Sequence, residues 1–315
     1  MERIGVVGAG IMGSGIAATL MKKKYAVTVY NRTAAKLTAL RGAGAAVAKT
    51  PRELAEKSDV VIIFVWNKEA LDAVISGEEG LVAGAHKDEI FIDMSTQLPE
   101  TAEMEATLFA SKGAKFLDAP VHGSRAEANS GGLWIMVGGE RKIYNQVLPI
   151  LKTIGETQHY MGPHGKGFAT KLCGNLLVST IVAALAESLV LAAKAGIDPK
   201  EAVKLWQESD FRSPVVGGAG KSMYTRDFAV SFHLRTMVKD TELIRNYAEQ
   251  IGVPLMLSNV VHELNKVGQN LGFGEENASA VVKVFEEMAK AKVGEKKGRA
   301  ATARTAAGSN LKKVK

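Results

Sequence analysis

Lys171 and Asn175 lie four residues apart in an apolar segment, a spacing that places both side chains on one face of a helix. Burying a lysine is unfavourable unless its amine is paired or functional, and burial lowers its pKa toward the range that proton transfer requires. Gly167 and Gly174 lie about one turn before and nearly one turn after Lys171 and leave room for a ligand or another backbone. The spacing alone leaves two interpretations open, a general acid–base and a structural lysine whose amine reaches solvent.

A glycine-rich segment, Gly8-Ala9-Gly10-Ile11-Met12-Gly13, follows the first apolar run of the chain and opens a helical pattern. In this G-x-G-x-x-G spacing the first glycine permits a tight turn and the second lets the backbone approach a pyrophosphate. The third lets helix and strand pack closely, with the helix N-terminus facing the phosphates. The context predicts a dinucleotide site formed by these six residues; a glycine turn without a ligand is the alternative.

Asn31-Arg32-Thr33, the residues after the second apolar run, predict which dinucleotide binds. An acid at this point would bind the ribose 2′-hydroxyl of NAD and repel a 2′-phosphate. The segment has no carboxylate, and Arg32 can pair with a phosphate, with help from the Asn31 and Thr33 side chains. We therefore expect NADP as the cofactor in preference to NAD. The alternative is that Arg32 is a solvated loop residue.

Short apolar runs alternate with helical patterns through the first half of the chain, which indicates βαβ units, a parallel sheet and helices on both faces. Strands are predicted at residues 3–7, 26–30, 60–65, 89–93, 115–118, 133–137 and 158–161. Helices are predicted at residues 11–23, 34–42, 51–57, 68–76, 100–112 and 141–154. The fold class is therefore α/β, with a Rossmann-type doubly wound sheet domain over residues 1–162 that binds NADP.

After Met161 the strand signals end and the chain becomes helical. Residues 167–196 predict one long apolar helix of about 45 Å, at a rise of about 1.5 Å per residue. Such a helix is buried on most of its faces, and Cys173 within it is expected to be a small core residue. Further helices are predicted at residues 199–208, 236–250, 254–267 and 278–290. We expect an all-helical domain over residues 163–292 that binds substrate and forms a homo-oligomer, a dimer or tetramer.

The formal charge of +7 comes from 40 Lys and Arg against 33 Asp and Glu in 315 residues. Residues 293–315 hold seven of those basic residues and one of the acids, so this tail carries +6 and the rest of the chain is nearly neutral. The tail lacks aromatic residues and apolar periodicity, which predicts disorder. A nucleic-acid partner is therefore not expected, except through the basic tail.

The remaining composition bounds the chemistry and the compartment. One cysteine excludes an intrachain disulfide framework and a Cys-pair zinc site. The six histidines form no H-x-x-x-H pair and no compact cluster with carboxylates, so we predict no metal. The most apolar stretch, residues 176–186, is shorter than the roughly 20 residues that a membrane span needs, and no signal peptide is visible. We expect a cytoplasmic protein without a membrane partner.

Four motifs occur in order: Ile4 to Gly13, Asp118 to Ser124, a G-x-x-G-x-G-x-x-x-K-x-x-x-N pattern from Gly162 to Asn175, and Lys239-Asp240. Together they resemble the β-hydroxyacid dehydrogenase family, which includes 3-hydroxyisobutyrate dehydrogenases and the tartronate semialdehyde and glyoxylate/succinic semialdehyde reductases. The resemblance covers residues 2–290 and omits the tail. It implies hydride transfer between a nicotinamide cofactor and a small aldehyde or keto acid.

The resemblance also implies a role for each matching residue. Lys171 is implied as the general acid that protonates the carbonyl oxygen during reduction, and Asn175 as the residue that orients the substrate or Lys171. Further cofactor contacts are implied for Val65, Trp66, Asn67, Thr96 and Lys239. Substrate contacts are implied for Thr96, His122, Gly123, Ser124, Phe232 and Asp240.

The substrate motif departs from the family at one point, because it usually reads Ser-Gly-Gly where this chain has His122-Gly123-Ser124. The family serine hydrogen-bonds the substrate carboxylate. His122 can donate to a carboxylate as well, more strongly when protonated, or it changes the substrate; a structural role is a third interpretation. The sequence around Phe232 and Asp240 resembles the glyoxylate/succinic semialdehyde branch most closely. We expect a carboxylate-bearing substrate of that kind.

Two alternatives remain open. A 3-hydroxyisobutyrate-type dehydrogenase would oxidise a β-hydroxyacid with the same residues, Lys171 then acting as the base. A non-catalytic dinucleotide-binding scaffold would engage an anion through the basic tail, and the intact Lys171 motif argues against it.

Overall fold

The computed structural model of the protein describes residues 2–294. Within this range nine strands form one sheet: β1 (Arg3–Val7), β2 (Ala26–Tyr30), β3 (Ala46–Val47), β4 (Val60–Ile63), β5 (Ile90–Asp93), β6 (Lys115–Asp118), β7 (Val121–His122), β8 (Leu133–Gly139) and β9 (Gly155–Gly162). Their order across the sheet is β3-β2-β1-β4-β5-β6-β8-β7, with β9 paired to β8.

The sheet is parallel from β3 to β6, as the sequence predicts. At the other edge β8 runs antiparallel to β6 and β7, a detail that the alternation of strands and helices does not predict. The chain winds outward from β1 to β2 and then returns to place β4 on the other side of β1. Ligands of such sheets bind at this switch point, in the crevice beyond the carboxyl ends of the strands.

The helices around the sheet are α1 (Ile11–Lys22), α2 (Thr38–Gly42), α3 (Pro51–Glu56), α4 (Lys68–Ile75), α5 (Leu81–Gly84), α6 (Pro99–Ala110), α7 (Arg125–Ser130) and α8 (Arg141–Ile154), with a 3-10 turn at Ala34–Leu37. The two faces of the sheet carry separate apolar clusters, because successive strand residues point to opposite sides: Ile62 belongs to one and Ile63 to the other. Phe91 of β5 stacks on Phe109 of α6 with ring centroids 3.8 Å apart. Burial of one such ring stabilises the fold by about 1.5–3 kcal/mol.

The second part of the described chain is helical. Its helices are α9 (Lys166–Lys194), α10 (Pro199–Glu208), α11 (Pro214–Thr225), α12 (Leu234–Gln250), α13 (Met256–Gly268) and α14 (Val282–Ala289), with a π-helical turn at Gln269–Phe273 and a 3-10 turn at Ala278–Val281. The long helix α9 packs against β8 at its start and against α11 and α12 further along. A third apolar cluster, which includes Ala186, Leu189 and Met223, holds these helices together.

The long helix is less buried than its composition predicts. Thirteen of its 29 residues are buried, while Leu177 is 59% exposed and Leu191 is 71% exposed. By length and composition it is the one helix within residues 2–294 that could cross a membrane. This is weak evidence for a membrane span, because the core helix of a soluble protein passes the same test. The single chain thus covers part of this helix, and the burial of its remaining faces between subunits stays a prediction.

Cys173 is exposed, so the expectation that it is a core residue is wrong. The inward face of this part of α9 carries Phe168, Lys171, Leu172 and Asn175, which follow one another at i, i+3, i+4 and i+7. Position 173 falls outside that stripe in a helix with 3.6 residues per turn.

The last buried residue is Val293, whose backbone N–H donates to Oε1 of Glu286 over 2.8 Å. Glu286 is itself buried and pairs with Arg226 at 2.5 Å. Val293 therefore belongs to the fold, although the sequence places it at the start of the tail. The rest of the predicted disordered tail, from residue 295 onward, lies outside the described residues.

Candidate active site

The glycine-rich turn between β1 and α1 has the geometry that its spacing predicts. Gly8 has φ +97°, a conformation that favours glycine, and a Cβ there would lie 2.0 Å from the Phe64 carbonyl oxygen. A Cβ at Gly13 would lie 2.0 Å from the Gly8 carbonyl oxygen, whereas one at Gly10 would meet nothing within 4 Å. The first and third glycines are thus required for packing, and the second faces open space that a pyrophosphate fits.

The segment after β2 lies beside this turn, because the Gly8 backbone N–H donates to the Tyr30 carbonyl over 2.9 Å. The Asn31 side-chain amide donates to the Thr33 carbonyl over 3.0 Å and shapes the loop. Arg32 is exposed. A guanidinium at this place is available to a ligand that extends from the glycine turn past the end of β2.

The loops after β4 and β5 are joined by Ser95. The Val65 backbone N–H donates to the Ser95 hydroxyl over 3.0 Å, and the Ser95 N–H donates to Oδ1 of Asp93 over 2.7 Å. Trp66 is 49% exposed, and its ring lies 5.7 Å from the Arg235 guanidinium of α12. This pair spans the cleft between the sheet edge and the helical part.

Asn67 and Thr96 complete these two loops. The Asn67 side chain accepts from the Ala70 N–H over 3.0 Å and caps α4, so its oxygen serves the fold. The Thr96 carbonyl accepts from the Lys239 amine of α12 over 3.4 Å. The implied cofactor residues of both loops therefore lie at the carboxyl ends of β4 and β5, as the motifs require.

Asp118, the last residue of β6, anchors the start of α9. Its Oδ1 accepts from the Gly165 N–H over 2.9 Å and its Oδ2 from the Phe168 N–H over 3.0 Å. The carboxylate thereby satisfies backbone donors at a helix N-terminus that has no side-chain cap of its own. Gly167 is required beside it, because a Cβ there would lie 2.6 Å from the Asp118 carbonyl oxygen. This junction fixes α9, and Lys171 with it, against the sheet.

Lys171 is buried on the inward face of α9. Burial lowers the pKa of Lys171 to about 8; the Asp240 carboxylate opposes that shift and the Lys239 charge adds to it. Its amine lies 3.3 Å from Nδ1 of His122. A lysine with a pKa near neutrality can donate or accept a proton under physiological conditions, which is the property expected of a general acid–base.

Asn175, Asp240 and Lys239 form one connected group. The Asn175 amide donates to Oδ2 of Asp240 over 2.7 Å, and the Lys239 amine lies 2.7 Å from Oδ1 of the same carboxylate. Asn175 and Asp240 are both buried. Because Lys239 also reaches Thr96, the group connects α9 and α12 to the loop after β5, and it brings four sequence-predicted residues together.

The segment His122-Gly123-Ser124 runs from the last residue of β7 to the N-cap of α7. Burial, with the Lys171 charge adding to it, lowers the pKa of His122 to about 4. Gly123 has φ +123°. The Ser124 hydroxyl and N–H both donate to Oε2 of Glu127 over 2.6 Å, in a capping box that starts α7. The structure thus places His122 beside Lys171 and engages the Ser124 hydroxyl within the loop.

Phe232 lies in the segment that precedes α12. Its N–H donates to Oδ1 of Asn277 over 3.2 Å, and its carbonyl accepts from the Ala278 N–H over 2.8 Å. These bonds tie the segment to the 3-10 turn before α14. Within residues 2–294 Phe232 forms no hydrogen bond with Lys171, Asn175 or Asp240.

One buried acid near the site, Glu105, carries no signal in the sequence. Burial raises the pKa of Asp93 to about 6, and it raises the pKa of Glu105 well above its usual range, with the Asp93 charge adding to the effect. Glu105 lies on the buried side of α6. Asp118, which caps α9, also has its pKa raised to about 6 by burial. The helix periodicity of α6 predicts which face is inward but gives no reason to expect an acid there.

Within residues 2–294, no group of three or more His, Cys, Asp or Glu side chains could hold a metal ion.

Residues 3–162 match the family model described as the NAD binding domain of 6-phosphogluconate dehydrogenase. Residues 165–285 match the one described as NAD-binding of NADP-dependent 3-hydroxyisobutyrate dehydrogenase. The chain is 31% identical over 282 residues to glyoxylate/succinic semialdehyde reductase 2, chloroplastic, of Arabidopsis thaliana, covering 90% of this chain and 79% of the relative. It is also 31% identical over 287 residues to 2-(hydroxymethyl)glutarate dehydrogenase of Eubacterium barkeri, covering 91% and 95%.

The fold is shared with a crystal structure of 3-hydroxyisobutyrate dehydrogenase from Salmonella typhimurium, with a TM-score of 0.83 and 25% identity over 90% of this chain and all of that one. A structure of Psf3 in complex with NADP+ and 2-OPP gives a TM-score of 0.84 at 25% identity, covering 90% of this chain and 99% of that one. The chain belongs to the β-hydroxyacid dehydrogenase family of NAD(P)-dependent oxidoreductases.

Proposed function

We propose that the protein is an NADP-dependent reductase of a small aldehyde or keto acid such as glyoxylate or succinic semialdehyde. The observation that carries the proposal is the Lys171 amine, which is buried, has a lowered pKa and lies beside Asn175 and His122. The nicotinamide supplies the hydride when bound. The chain supplies the position of the substrate and the proton.

Lys171 acts as the general acid of the reduction. At pH 7 an amine with a pKa of about 8 is mostly protonated, so it can donate its proton to the oxygen of a carbonyl that accepts a hydride. Asn175 orients Lys171 and the substrate from the next helical turn, held by its bond to Asp240. In the reverse direction the same residues catalyse the oxidation of a β-hydroxyacid, with Lys171 as the base. This is the 3-hydroxyisobutyrate-type alternative.

The preference for NADP rests on the loop after β2. Arg32, with Asn31 and Thr33, offers a cation and polar side chains where NAD would require a carboxylate. Gly8 to Gly13 bind the pyrophosphate, and Val65, Trp66, Asn67, Thr96 and Lys239 approach the rest of the cofactor.

For the substrate we propose contacts with Thr96, Gly123 and Phe232, and with His122, Ser124 and Asp240. The last three already hold partners in the protein: Lys171, Glu127 and Asn175, respectively. A carboxylate on the substrate suits a cleft whose charged side chains include Lys171, Lys239 and Arg235.

We further propose that the chain forms a homo-oligomer, at least a dimer. Leu177 and Leu191 of α9 are largely exposed, as are Met256 and Leu257 of α13. Exposed apolar side chains on a long helix are costly in water and are stabilised by a second copy. We assign the cofactor domain to residues 1–162 and the helical substrate and oligomerisation domain to residues 163–292.

The proposal is tested by NADPH consumption with glyoxylate, succinic semialdehyde, methylmalonate semialdehyde and tartronate semialdehyde, each repeated with NADH. We expect one of the four to be reduced with a higher kcat/KM for NADPH than for NADH. A clear preference for NADH would contradict the cofactor assignment. If a folded protein that binds NADPH turns over none of the four substrates, the proposed reductase activity is contradicted.

A further inference from the structure

His122 and Gly174 form a contact that the proposed function does not use. His122 ends β7, and Gly174 lies in α9 between Lys171 and Asn175. A Cβ at position 174 would lie 2.3 Å from Nε2 of His122 and 2.7 Å from its Cε1. Any side chain at 174 would therefore displace the imidazole, so the observed ring position depends on the glycine.

The other ring nitrogen of His122 faces the Lys171 amine, with Nδ1 and Nζ 3.3 Å apart. With a pKa lowered to about 4 by burial, the ring is neutral near pH 7. A neutral imidazole that carries its hydrogen on Nε2 has a free lone pair on Nδ1, which can accept from an ammonium group. The contact with the substrate that we propose for His122 is therefore that of a neutral ring, which contributes little to KM, and not that of a cation with a carboxylate.

We propose that His122 is a positioning residue for Lys171: its ring, seated against Gly174, accepts a hydrogen bond from the amine and holds it toward the reacting carbonyl. The inference rests on the proposed function, because it takes Lys171 to be the proton donor. Asp240 and Lys239, both on α12, are the other charged groups that act on the amine. His122 acts on it from β7, on the sheet side of the cleft.

Positioning and substrate binding have different kinetic consequences. A residue that binds the substrate carboxylate equally in the ground and transition states changes KM, whereas a residue that holds the proton donor changes kcat and the pH profile. A small displacement of the proton donor is enough to lower kcat, because a misplacement of about 1 Å can lower the rate about 100-fold.

Two replacements of His122 separate the acceptor from the bulk of the ring. His122→Leu keeps much of the volume and removes the acceptor, while His122→Asn keeps an acceptor oxygen near the place of Nδ1. With any substrate found in the NADPH screen, we expect H122L to lower kcat about 10- to 100-fold with KM within about threefold. We expect H122N to recover most of that loss.

The contact with Gly174 supplies a second, independent test. Asparagine has no atom in the place of Nε2 or Cε1, so a Cβ at 174 meets no obstacle from it. Gly174→Ala should therefore lower kcat strongly in the presence of His122 and change it by less than about threefold in the H122N background. An equal loss in the two backgrounds would overturn the steric coupling. If H122L does not fold, the comparison of Gly174→Ala in the wild-type and H122N backgrounds still tests the positioning role of His122.

An activity-independent measurement keeps the inference apart from the proposed function. The rate of Lys171 acetylation by acetic anhydride, followed by mass spectrometry of its peptide between pH 6 and 10, reports the apparent pKa of the amine. Loss of the acceptor destabilises the ammonium form, so this pKa should be lower in H122L than in the wild type and be restored in H122N. An unchanged pKa in H122L, or a rise in KM with unchanged kcat, would overturn the positioning role. Failure of the NADPH screen alone would leave this readout intact.

Discussion

The Asn175 amide donates to Oδ2 of Asp240 over 2.7 Å and thereby joins the inward face of α9 to α12 one helical turn beyond Lys171. The same carboxylate lies 2.7 Å from the Lys239 amine. Asp240 therefore holds one residue expected to orient the substrate and one expected to reach the cofactor. Its charge also opposes the effect of burial on the Lys171 pKa.

Replacing Asp240 by Asn should shift the pH profile of reduction toward lower pH. Asp240 raises the pKa of Lys171, so its neutral replacement lowers that pKa, by about one unit for a close opposite charge. Reduction requires protonated Lys171, so kcat/KM falls as the pH rises through this pKa, and in D240N the fall begins earlier. Profiles between pH 6 and 10 measure the shift. Glu249→Gln, an exposed acid of the same helix, is the control and should leave the profile in place.

Removal of the Lys171 amine should abolish most of the chemistry and spare cofactor binding. Lys171→Met keeps an unbranched side chain of similar length in the buried position and cannot donate a proton. We expect kcat to fall about 10²- to 10⁴-fold, the usual contribution of general acid catalysis, with the Kd for NADPH within about threefold. Stopped-flow turnover and NADPH fluorescence titration measure the two quantities.

Lys166→Met serves as the matched control for this variant, because Lys166 is an exposed lysine in the first turn of the same helix. It should retain wild-type kcat. A K171M enzyme with near-normal kcat would show that another group donates the proton.

The glycine-rich turn offers two substitutions of the same type with opposite consequences. A Cβ at Gly13 would lie 2.0 Å from a backbone oxygen that cannot move freely, so Gly13→Ala should destabilise the fold by about 1–3 kcal/mol. A Cβ at Gly10 would meet open space, so Gly10→Ala should keep the wild-type Tm and weaken NADPH binding by filling the approach to the backbone. Thermal unfolding and NADPH titration of both proteins distinguish the two effects. Equal Tm losses would contradict the separate roles.

The sequence predicts this turn and the Lys171–Asn175 pair well because both are local: a fixed spacing of glycines, and two residues on one helical face. It does not predict the links that cross between elements. The Ser95 bond to Val65 joins residues 30 apart, and Asp118 caps a helix that begins 48 positions later. Neither pairing leaves a periodic trace in the sequence.

Short and glycine-containing elements are missed for a related reason. β7 contains two residues, Val121–His122, and exists because β8 pairs with it. Helix α11 includes three glycines, at positions 217, 218 and 220, which locally disfavour a helix. Gly220 is required there because a Cβ would lie 2.8 Å from a Val203 methyl carbon of α10. Tertiary packing thus overrides local propensity in α11. Within the site, Gly174 is likewise required by a tertiary contact, the one with His122.

Replacing Arg32 by Ser should change the cofactor preference rather than the chemistry. A guanidinium–phosphate pair is lost with NADPH and has no counterpart with NADH, which lacks the 2′-phosphate. We expect kcat/KM to fall about 10- to 100-fold for NADPH and by less than about threefold for NADH. Arg41→Ser, an exposed residue at the end of α2, is the control. A parallel loss with both cofactors would remove Arg32 from the 2′-phosphate site.

The buried acids should make the fold less stable as the pH rises. Burial raises the pKa of Asp93 and of Asp118 to about 6, that of Glu89 to about 8, and that of Glu105 well above its usual range. A carboxyl with a raised folded-state pKa keeps its full contribution below the unfolded pKa of about 4 and loses it as the pH rises through the folded value. The contribution of these four carboxyls to the free energy of unfolding should therefore decline between pH 4 and 8. Glu105→Gln removes one of these ionisations, so urea unfolding should show a shallower decline than in the wild type. Glu103→Gln, on the exposed side of the same helix, is the control and should follow the wild-type curve. If the free energy of unfolding changes with pH at the same slope in all three proteins, the raised pKa of Glu105 is contradicted.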